Sequence, residues 1–410
     1  MHSVRTSGRV ALPVITAALL AAPLAAAPQA ETGAYTRYEL LAPATHSFRI
    51  IYEVTAATPG ATTYFNPVRP GSVARDEHVA DRATGKPLAF AEVDGSVARA
   101  AGVDDATPGD RFIAVTLAHP VPAGGGARLL IDKTYEDAKS YHGDGSAGAG
   151  AGEIVFDRSL GIKRNTVVLP PGYRLTACNV PAQVLEQADG RIAVSFWNTS
   201  PAAAPLILHA RSGPVRAAAP SAVAALLSER AAQSREIVYL LNPPETHSFA
   251  LTHDYTETKP GTAAYVNIVR AGSTASDPSA RDLDTGETFR AEPIHGATAI
   301  RALEPDAADV NADTDAIVFR FAPVAPGTSR RLRIAETYTD PDRYGLTGDE
   351  LVWHRSFGRP LNAVVLPAGW TLTNSSVPAT VSEADGRIRL DFVNPRSDEI
   401  DTVITARRNR

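Results

Sequence analysis

The chain carries RSLGIKRNTVVLPPGYRLTAC at residues 158–178 and repeats it, in altered form, as RSFGRPLNAVVLPAGWTLTNS at residues 355–375. Shorter phrases recur in the same order, and THSF stands at residues 45–48 and again at 246–249. Ordered recurrence of this kind indicates an internal duplication. The copies differ mainly in a Gly- and Ala-rich insertion, GDGSAGAGAG at residues 143–152, which we expect at a flexible hairpin tip.

Within each copy, apolar and polar residues alternate with the period of a β-strand. The alternation is clear in FRIIYEV at residues 48–54, IAVSF at 192–196, IVFRF at 317–321 and IRLDF at 388–392. Dipeptides that end in glycine, at residues 84–85, 189–190, 285–286 and 385–386, supply the turns between strands. The sequence therefore predicts an all-β fold of two tandem homologous antiparallel β-sandwich domains, joined by a short, partly helical linker.

The predicted organisation has four segments: a signal peptide at residues 1–30, a first β-sandwich repeat at 31–211, an Ala- and Pro-rich linker at 212–233, and a second repeat at 234–410. In the linker, Ser221 is expected to cap a short helix that packs between the sandwiches. Val223, Leu226, Leu227 and Ala231 share one face of that helix, which is the only one that we expect after the signal peptide.

The first residues have the pattern of a secretory signal. Arg5 and Arg9 give a positive n-region, and an apolar run with small residues follows it at 10–26. A retained membrane anchor is the rival interpretation, but Pro13 and Pro23 interrupt a run that is already short for a bilayer span. We expect cleavage between Ala25 and Ala30, no later transmembrane segment, and a periplasmic or extracellular protein.

Bulk composition excludes some partners and bonds. The 40 basic and 45 acidic side chains leave no basic surplus for a phosphate backbone, so we expect no nucleic-acid partner. Cys178 is the only cysteine, so the chain contains no internal disulfide. Ser375 takes its place in the second copy, which favours a packing role for Cys178 over a nucleophilic one.

One candidate binding group is a Tyr, an Asn and an Arg at fixed spacing, present in both copies. An arginine near these side chains can bind a carboxylate or a sugar hydroxyl. The same residues also fit a framework role, connecting a strand end to its loop, and their presence in both copies favours that role. The group consists of Tyr64, Asn66 and Arg69 in the first copy and of Tyr265, Asn267 and Arg270 in the second.

The second candidate is a repeated arginine, Arg158 and Arg355, that opens the longest repeated phrase. Strand alternation places Arg158 on the same face as apolar neighbours, so its guanidinium points towards the core. A buried arginine without a partner costs several kcal/mol. We therefore predict that Arg158 reaches Asp137 or a nearby carbonyl, and that Arg355 does the same with Asp340.

Metal, cofactor and triad signatures are absent from the sequence. It contains no His-Glu-x-x-His, no Gly-x-Ser-x-Gly, no phosphate loop and no dinucleotide fingerprint, so we predict no cofactor. His46 and His247 stand at equivalent strand starts, where structural hydrogen bonds are expected. The acidic run at 306–315 resembles a calcium loop, but it has Thr314 where glycine is expected and Arg320 where the closing acid would stand. A solvated loop is the favoured interpretation.

Part of each copy resembles a known family. The phrases PATHSFRI at residues 43–50 and RPGS at 69–72 resemble the N-terminal β-sandwich of glycyl-aminopeptidase-type zinc aminopeptidases. In those enzymes the sandwich precedes the catalytic domain and helps to shape the substrate cleft. The zinc-binding helix of that family has no counterpart in this sequence, so the resemblance implies an accessory sandwich and carries over no catalytic residue.

Duplication without a chemical signature favours a non-catalytic binding or scaffolding protein, with an unknown protein or a cell-envelope glycan as its partner. We expect its surfaces at the groove between the copies and at the loop-bearing ends of the sandwiches. One alternative is an envelope-directed hydrolase of glycans or peptides, which a pocket with converging carboxylates would favour. Another is a structural envelope component, which self-association through exposed strand edges would favour.

Overall fold

The computed structural model describes residues 28–143, 152–213, 227–308 and 310–409, and within them the chain is nearly all β. The predicted signal peptide, apart from its last residues, and most of the Gly- and Ala-rich insertion lie outside these ranges. None of the described helices is long and apolar enough to cross a membrane.

The first half of the described chain forms three sheets. Its strands are β1 (Glu31–Leu40), β2 (Ser47–Ala56), β3 (Thr63–Val68), β4 (Val73–Asp81), β5 (Phe90–Asp94), β6 (Arg111–Thr116), β7 (Ala127–Glu136), β8 (Tyr141–Gly143), β9 (Glu153–Leu160), β10 (Arg164–Val168), β11 (Tyr173–Cys178), β12 (Gln183–Glu186), β13 (Ile192–Trp197) and β14 (Ala204–Ser212). A seven-stranded sheet has the order β12-β13-β10-β1-β2-β7-β4, a four-stranded sheet the order β11-β14-β9-β8, and a three-stranded sheet the order β3-β6-β5.

The second half also forms three sheets. Its strands are β15 (Arg235–Leu241), β16 (Ser248–Glu257), β17 (Ala264–Ile268), β18 (Thr274–Asp282), β19 (Thr288–Phe289), β20 (Ala291–His295), β21 (Asp315–Arg320), β22 (Arg330–Thr339), β23 (Tyr344–Thr347), β24 (Glu350–Phe357), β25 (Leu361–Val365), β26 (Trp370–Ser375), β27 (Thr380–Ala384), β28 (Arg387–Val393) and β29 (Ile400–Arg408). The orders are β19-β18-β22-β16-β15-β25-β28-β27, β26-β29-β24-β23 and β17-β21-β20.

The two halves have the same strand order once the short strand β19 is set aside. An all-β sandwich fold is thus the observed class, while the origin of the halves by duplication stays a prediction from the repeated sequence. The sheets are antiparallel, as predicted, except at one strand pair in each half. Strand β1 pairs in parallel with β10, and β15 pairs in parallel with β25. The long connection between each pair makes this crossover possible.

Strand alternation and the repeated histidines agree with the sequence predictions. Along β2, Phe48, Ile50, Tyr52 and Val54 are all buried. The repeated THSF phrase places its histidine in the left-handed region, with φ of 50° at His46 and 52° at His247. Each imidazole Nδ1 then meets a backbone carbonyl, Tyr141 O at 3.1 Å and Tyr344 O at 2.8 Å, which confirms the expected structural hydrogen bonds.

Each half packs an apolar core between its large sheet and its four-stranded sheet. In the first half, Phe48 of β2 meets Phe156 of β9 edge to face, with ring centroids 5.4 Å apart. In the second half, Tyr239 of β15 meets Trp353 of β24 at 5.3 Å. Aromatic pairs of this geometry stabilise a core beyond the burial of their area alone.

Short helices that were not predicted occur at equivalent places in the two halves, α1 (Gly95–Ala100) and α2 (Ala297–Arg301). The predicted linker helix is wrong where the structure describes it, because residues 227–230 are not helical and a turn follows at residues 231–232. Leu227 is exposed and Ala231 is buried. The Arg230 guanidinium donates to Gly358 O at 2.8 Å, so the segment is bonded to the second half as well as within itself. Ser221, Val223 and Leu226 lie outside the described residues.

The halves meet through a buried ion pair beside a glycine-rich turn. The Arg128 guanidinium donates to both carboxylate oxygens of Asp284, at 2.6 and 2.7 Å, and to Ser329 O at 3.1 Å. A Cβ atom added at Gly125 would lie 2.3 Å from Leu283 O. Glycine at this position therefore allows the backbones of the two halves to approach each other.

Gly125→Ala should lower the free energy of unfolding by about 1–3 kcal/mol, the usual cost of overpacking a tight contact. Urea denaturation measures it. Gly109→Ala is the matched control, because nothing lies within 4 Å of a Cβ built there. Equal effects of the two substitutions would contradict the described contact.

Candidate functional site

The first half contains a cavity of about 820 Å³ that brings together all four of its predicted site residues. Tyr64, Asn66, Arg69 and Arg158 line its wall, although the sequence treated them as two separate groups. Strand β3 supplies Tyr64 and Asn66, the turn after it supplies Arg69, and β9 supplies Arg158. The three-stranded sheet and the sandwich therefore share this cavity.

Tyrosine hydroxyls and a carboxylate form one side of the cavity. Tyr64 donates to Glu31 Oε2 at 2.6 Å, and Tyr52 donates to Glu31 Oε1 at 3.2 Å. Burial, followed by the neighbouring Tyr52 and Glu31, raises the pKa of Tyr64 well above its ordinary value. The Tyr64 hydroxyl therefore stays protonated and serves as a hydrogen-bond donor.

Lys133 on β7 also lines the cavity, and sequence reasoning missed it. Only 3% of Lys133 is exposed, and its Nζ donates to Asn66 Oδ1 at 2.5 Å. Burial lowers the pKa of Lys133 to about 8. The available signal was strand alternation, since Leu129, Ile131 and Tyr135 of the same strand are all buried.

Arg158 forms the predicted bond. Its Nη1 donates to Asp137 Oδ2 at 3.0 Å, and both residues are buried. The guanidinium also lies 5.9, 5.3 and 5.7 Å from the ring centroids of Tyr38, Phe48 and Tyr135. The prediction for Arg158 is confirmed, and its charge is already neutralised inside the protein.

The second half places an acid where the first half has Lys133. Glu336 accepts from Asn267 Nδ2 at 2.7 and 2.9 Å, whereas Asn66 accepts from Lys133. An asparagine amide carries both an acceptor and donors, so the same framework residue serves either charge. Burial raises the pKa of Glu336 from 4.5 to about 7, while Arg355 and Asn267 oppose that rise.

Arg355 lies farther from its aspartate than Arg158 does from Asp137. Its Nη1 lies 3.6 Å from Asp340 Oδ2, and that nitrogen has no hydrogen-bond partner within the described part of the chain. Arg343 approaches the other oxygen of Asp340 at 3.2 Å. The predicted Arg355–Asp340 pairing is therefore present as an ion pair, and a second arginine shares the carboxylate.

Tyr265 and Arg270 complete the predicted group of the second half. The Tyr265 hydroxyl lies 3.1 Å from His253 Nδ1, and His253 is buried while Tyr265 is half-buried. Burial raises the pKa of Tyr265 to about 12, and the nearby Arg359 opposes that rise. Arg270 is half-buried, and burial followed by Arg355 and Arg343 lowers its pKa.

Two His–carboxylate pairs occur away from the cavity, on exposed strand faces. His354 Nε2 lies 2.8 Å from Asp401 Oδ1, and the Ser356 hydroxyl donates to the same oxygen at 3.4 Å. His295 Nδ1 lies 2.7 Å from Asp315 Oδ1. In the first group the serine contacts the aspartate and not the imidazole, so the imidazole is not placed to activate that hydroxyl.

Cys178 and Ser375 make the same local contact. The Cys178 thiol donates to Val180 O at 3.4 Å, and the Ser375 hydroxyl donates to Val377 O at 2.7 Å. The exchange of a thiol for a hydroxyl therefore preserves a turn, in agreement with a packing role.

The acidic run of the second half uses its side chains for turn bonds. Asn311 Oδ1 accepts from Asp313 N at 2.8 Å and from the Thr314 hydroxyl at 3.2 Å. Among the described residues, which omit Asp309, no group of three or more His, Cys, Asp or Glu side chains is arranged to hold a metal ion.

Solved structures match parts of this chain at low identity. An M1 zinc metallopeptidase from Deinococcus radiodurans is 10% identical over 43% of this chain and 41% of its own, with a TM-score of 0.27. A proposed protease from Parabacteroides distasonis is 11% identical over 92% of each chain, with a TM-score of 0.25. The collagen adhesin of S. aureus is 7% identical over 77% of this chain and 81% of its own, with a TM-score of 0.17.

The chain thus spans about two fifths of the length of the metallopeptidases that it resembles, a partial likeness of low identity. No family model and no curated protein matches the sequence.

Proposed function

We propose that this is an exported, non-catalytic binding protein whose first half holds a carboxylate-bearing glycan fragment of the cell envelope. The observation that carries the proposal is the convergence of Tyr64, Asn66, Arg69 and Arg158 on one cavity. Its volume lies within the range of ordinary ligand sites. Its wall combines aromatic side chains with polar groups and with charged groups of both signs.

Arg69 is the group that would recognise the carboxylate. It is exposed at the cavity wall and forms no ion pair within the described part of the chain, whereas Asp137 already neutralises Arg158. A free guanidinium binds a carboxylate through two parallel hydrogen bonds. Tyr38, Tyr52 and Phe65 would then face the less polar body of the ligand.

In the second half, the contacts of Tyr265 and Arg270 favour a structural role over ligand binding. Arg270 is half-buried among the like charges of Arg355 and Arg343, so it is less available than Arg69. Tyr265 is occupied with His253. We therefore assign ligand binding to the group in the first half and a structural role to the equivalent group in the second half.

Titration calorimetry with N-acetylmuramate tests the proposal, with N-acetylglucosamine as the matched sugar that lacks the carboxylate. Arg69→Ala should weaken binding of N-acetylmuramate about tenfold or more, the value of a charge-assisted hydrogen bond. Arg270→Ala, at the equivalent position, should leave binding unchanged. Equal binding of both sugars, or an unchanged affinity of the Arg69 variant, would contradict the proposal.

The hydrolase alternative has one observation in its favour, because carboxylates also reach this cavity. Glu31, Asp104, Asp105 and Asp110 line it. Two of them already accept hydrogen bonds, Glu31 from the two tyrosines and Asp110 from Thr107 at 2.8 Å. Release of reducing sugar from purified peptidoglycan, abolished by Glu31→Gln, would favour the hydrolase.

The alternative of a structural envelope component rests on the exposed edges of the large sheets. Strands β12 and β27 end the two large sheets, and Val184 and Val381 on them are exposed. Exposed apolar edges can pair with another chain. Sedimentation at increasing concentration would support this alternative if large assemblies formed.

A further inference from the structure

Lys133 and Asn66 form a close amine–carboxamide contact between two different sheets. Lys133 belongs to β7 of the seven-stranded sheet, and Asn66 belongs to β3 of the three-stranded sheet. Lys133 is 3% exposed and Asn66 is 6% exposed, and Nζ lies 2.5 Å from Oδ1. The amine is therefore held next to the carbonyl carbon of the asparagine amide, in reach of nucleophilic attack.

Glu77 supplies a carboxyl group beside this pair. The ladder between β4 and β7 shifts register between Arg75 and His78, so Glu77 lies in a bulge opposite Lys133. Glu77 Oε1 is buried and has no hydrogen-bond partner within the described part of the chain. Lys133 is one of the charges that act on Glu77.

The second half keeps the asparagine and loses both of the other groups. Glu336 replaces Lys133, and Pro278 replaces Glu77 in a bulge of the same register shift. Asn267 remains at the position of Asn66. The amine and the carboxyl thus occur together in one half and are lost together in the other, as expected for two groups that act in one reaction.

We propose that Lys133 and Asn66 join in an intramolecular amide bond, with Glu77 as the proton carrier. The neutral Lys133 Nζ attacks Cγ of Asn66 and forms the new N–C bond. The bond between Cγ and Nδ2 then breaks, and Nδ2 leaves as ammonia. Protonated Glu77 delivers its proton to the departing nitrogen and takes back the proton that Nζ loses, so it ends in its starting form and the reaction needs no oxidant or added reagent.

The protonation states support this step. Burial lowers the pKa of Lys133 to about 8, so a fraction of the amine is neutral near pH 7. Burial, ahead of the opposing effect of Lys133, raises the pKa of Glu77. A neutral amine and a protonated carboxyl are the forms that the reaction uses.

The new amide bond would restrain the part of the cavity wall that Lys133 and Asn66 form. The bond would tie the three-stranded sheet to the large sheet and close the chain between residues 66 and 133. A covalent closure of this length restricts the unfolded chain in the way that a disulfide does. Arg69, which carries the proposed ligand contact, stays free of this bond, so the two proposals stand or fall separately.

Intact-protein mass spectrometry of the purified full chain tests the proposal. The mass should be lower than that of the processed sequence by one molecule of ammonia, and Lys133→Met and Glu77→Gln should each restore the full mass. A full mass for the unmodified chain after prolonged incubation would overturn the proposal.

Tryptic peptides locate the bond. Because trypsin cannot cleave after an acylated lysine or between Arg69 and Pro70, residues 50–75 should appear joined to residues 129–139. The peptides that contain Asn267 and Glu336 should stay separate and serve as the internal control. Loss of ammonia without joined peptides, as a cyclised asparagine elsewhere would give, also overturns the proposal.

Discussion

Arg158→Ala should lower the free energy of unfolding by about 3–5 kcal/mol, because the substitution leaves the buried Asp137 carboxylate without its cation. The guanidinium is 3.0 Å from Asp137 and also packs over the rings of Tyr38, Phe48 and Tyr135. Alanine removes the charge and the packing together. Urea denaturation, followed by tyrosine and tryptophan fluorescence, measures the change.

Arg355→Ala is the matched control for that prediction. Arg355 packs over three rings in the same way, but it lies 3.6 Å from Asp340, which also has Arg343 at 3.2 Å. The carboxylate therefore keeps a cation after the substitution. We expect the loss to be smaller by at least about 1 kcal/mol than that for Arg158→Ala. Equal losses would show that packing alone accounts for both arginines.

Glu336→Gln should stabilise the protein above neutral pH. Burial raises the pKa of Glu336 from 4.5 in the unfolded chain to about 7 in the folded one, so the fold prefers the protonated acid. Its ionisation lowers the free energy of unfolding as pH rises from about 4.5 to about 7, by roughly 3 kcal/mol in total. Glutamine carries no charge and keeps an oxygen for Asn267.

The gain should therefore be close to 3 kcal/mol at pH 8 and absent at pH 4. Unfolding curves at the two pH values measure it. Glu383→Gln, at an exposed position on β27, should change neither value. A gain that is the same at both pH values would mean that Glu336 does not ionise in the folded protein.

Strand alternation was enough to predict that Arg158 is buried, and Asp137 was one of the two partners expected for it, beside a nearby carbonyl. Arg158 follows Ile154 and Phe156 at alternate positions of β9, and all three are buried. A buried cation requires an anion, and Asp137 is the acid that recurs with it in the repeat. The same alternation on β7 places Lys133 on the buried face with Leu129, Ile131 and Tyr135, so this buried charge was also predictable from the sequence.

Contacts between distant segments limit what the sequence alone can predict. The linker has apolar residues at helical spacing, but Arg230 bonds to Gly358 and Asn394 of the second half, and no local pattern indicates those partners. The parallel pairing of β1 with β10 likewise depends on a long crossover. The cavity arises because a separate three-stranded sheet covers part of the sandwich, which strand periodicity does not show.

A crystal structure of the protein grown with N-acetylmuramate would show directly whether the cavity of the first half holds a carboxylate-bearing sugar. We expect density for the sugar in the cavity of the first half, with its carboxylate within hydrogen-bonding distance of the Arg69 guanidinium. The equivalent region beside Arg270 should hold no sugar. A cavity that contains solvent only, at a concentration that saturates binding in solution, would contradict the account.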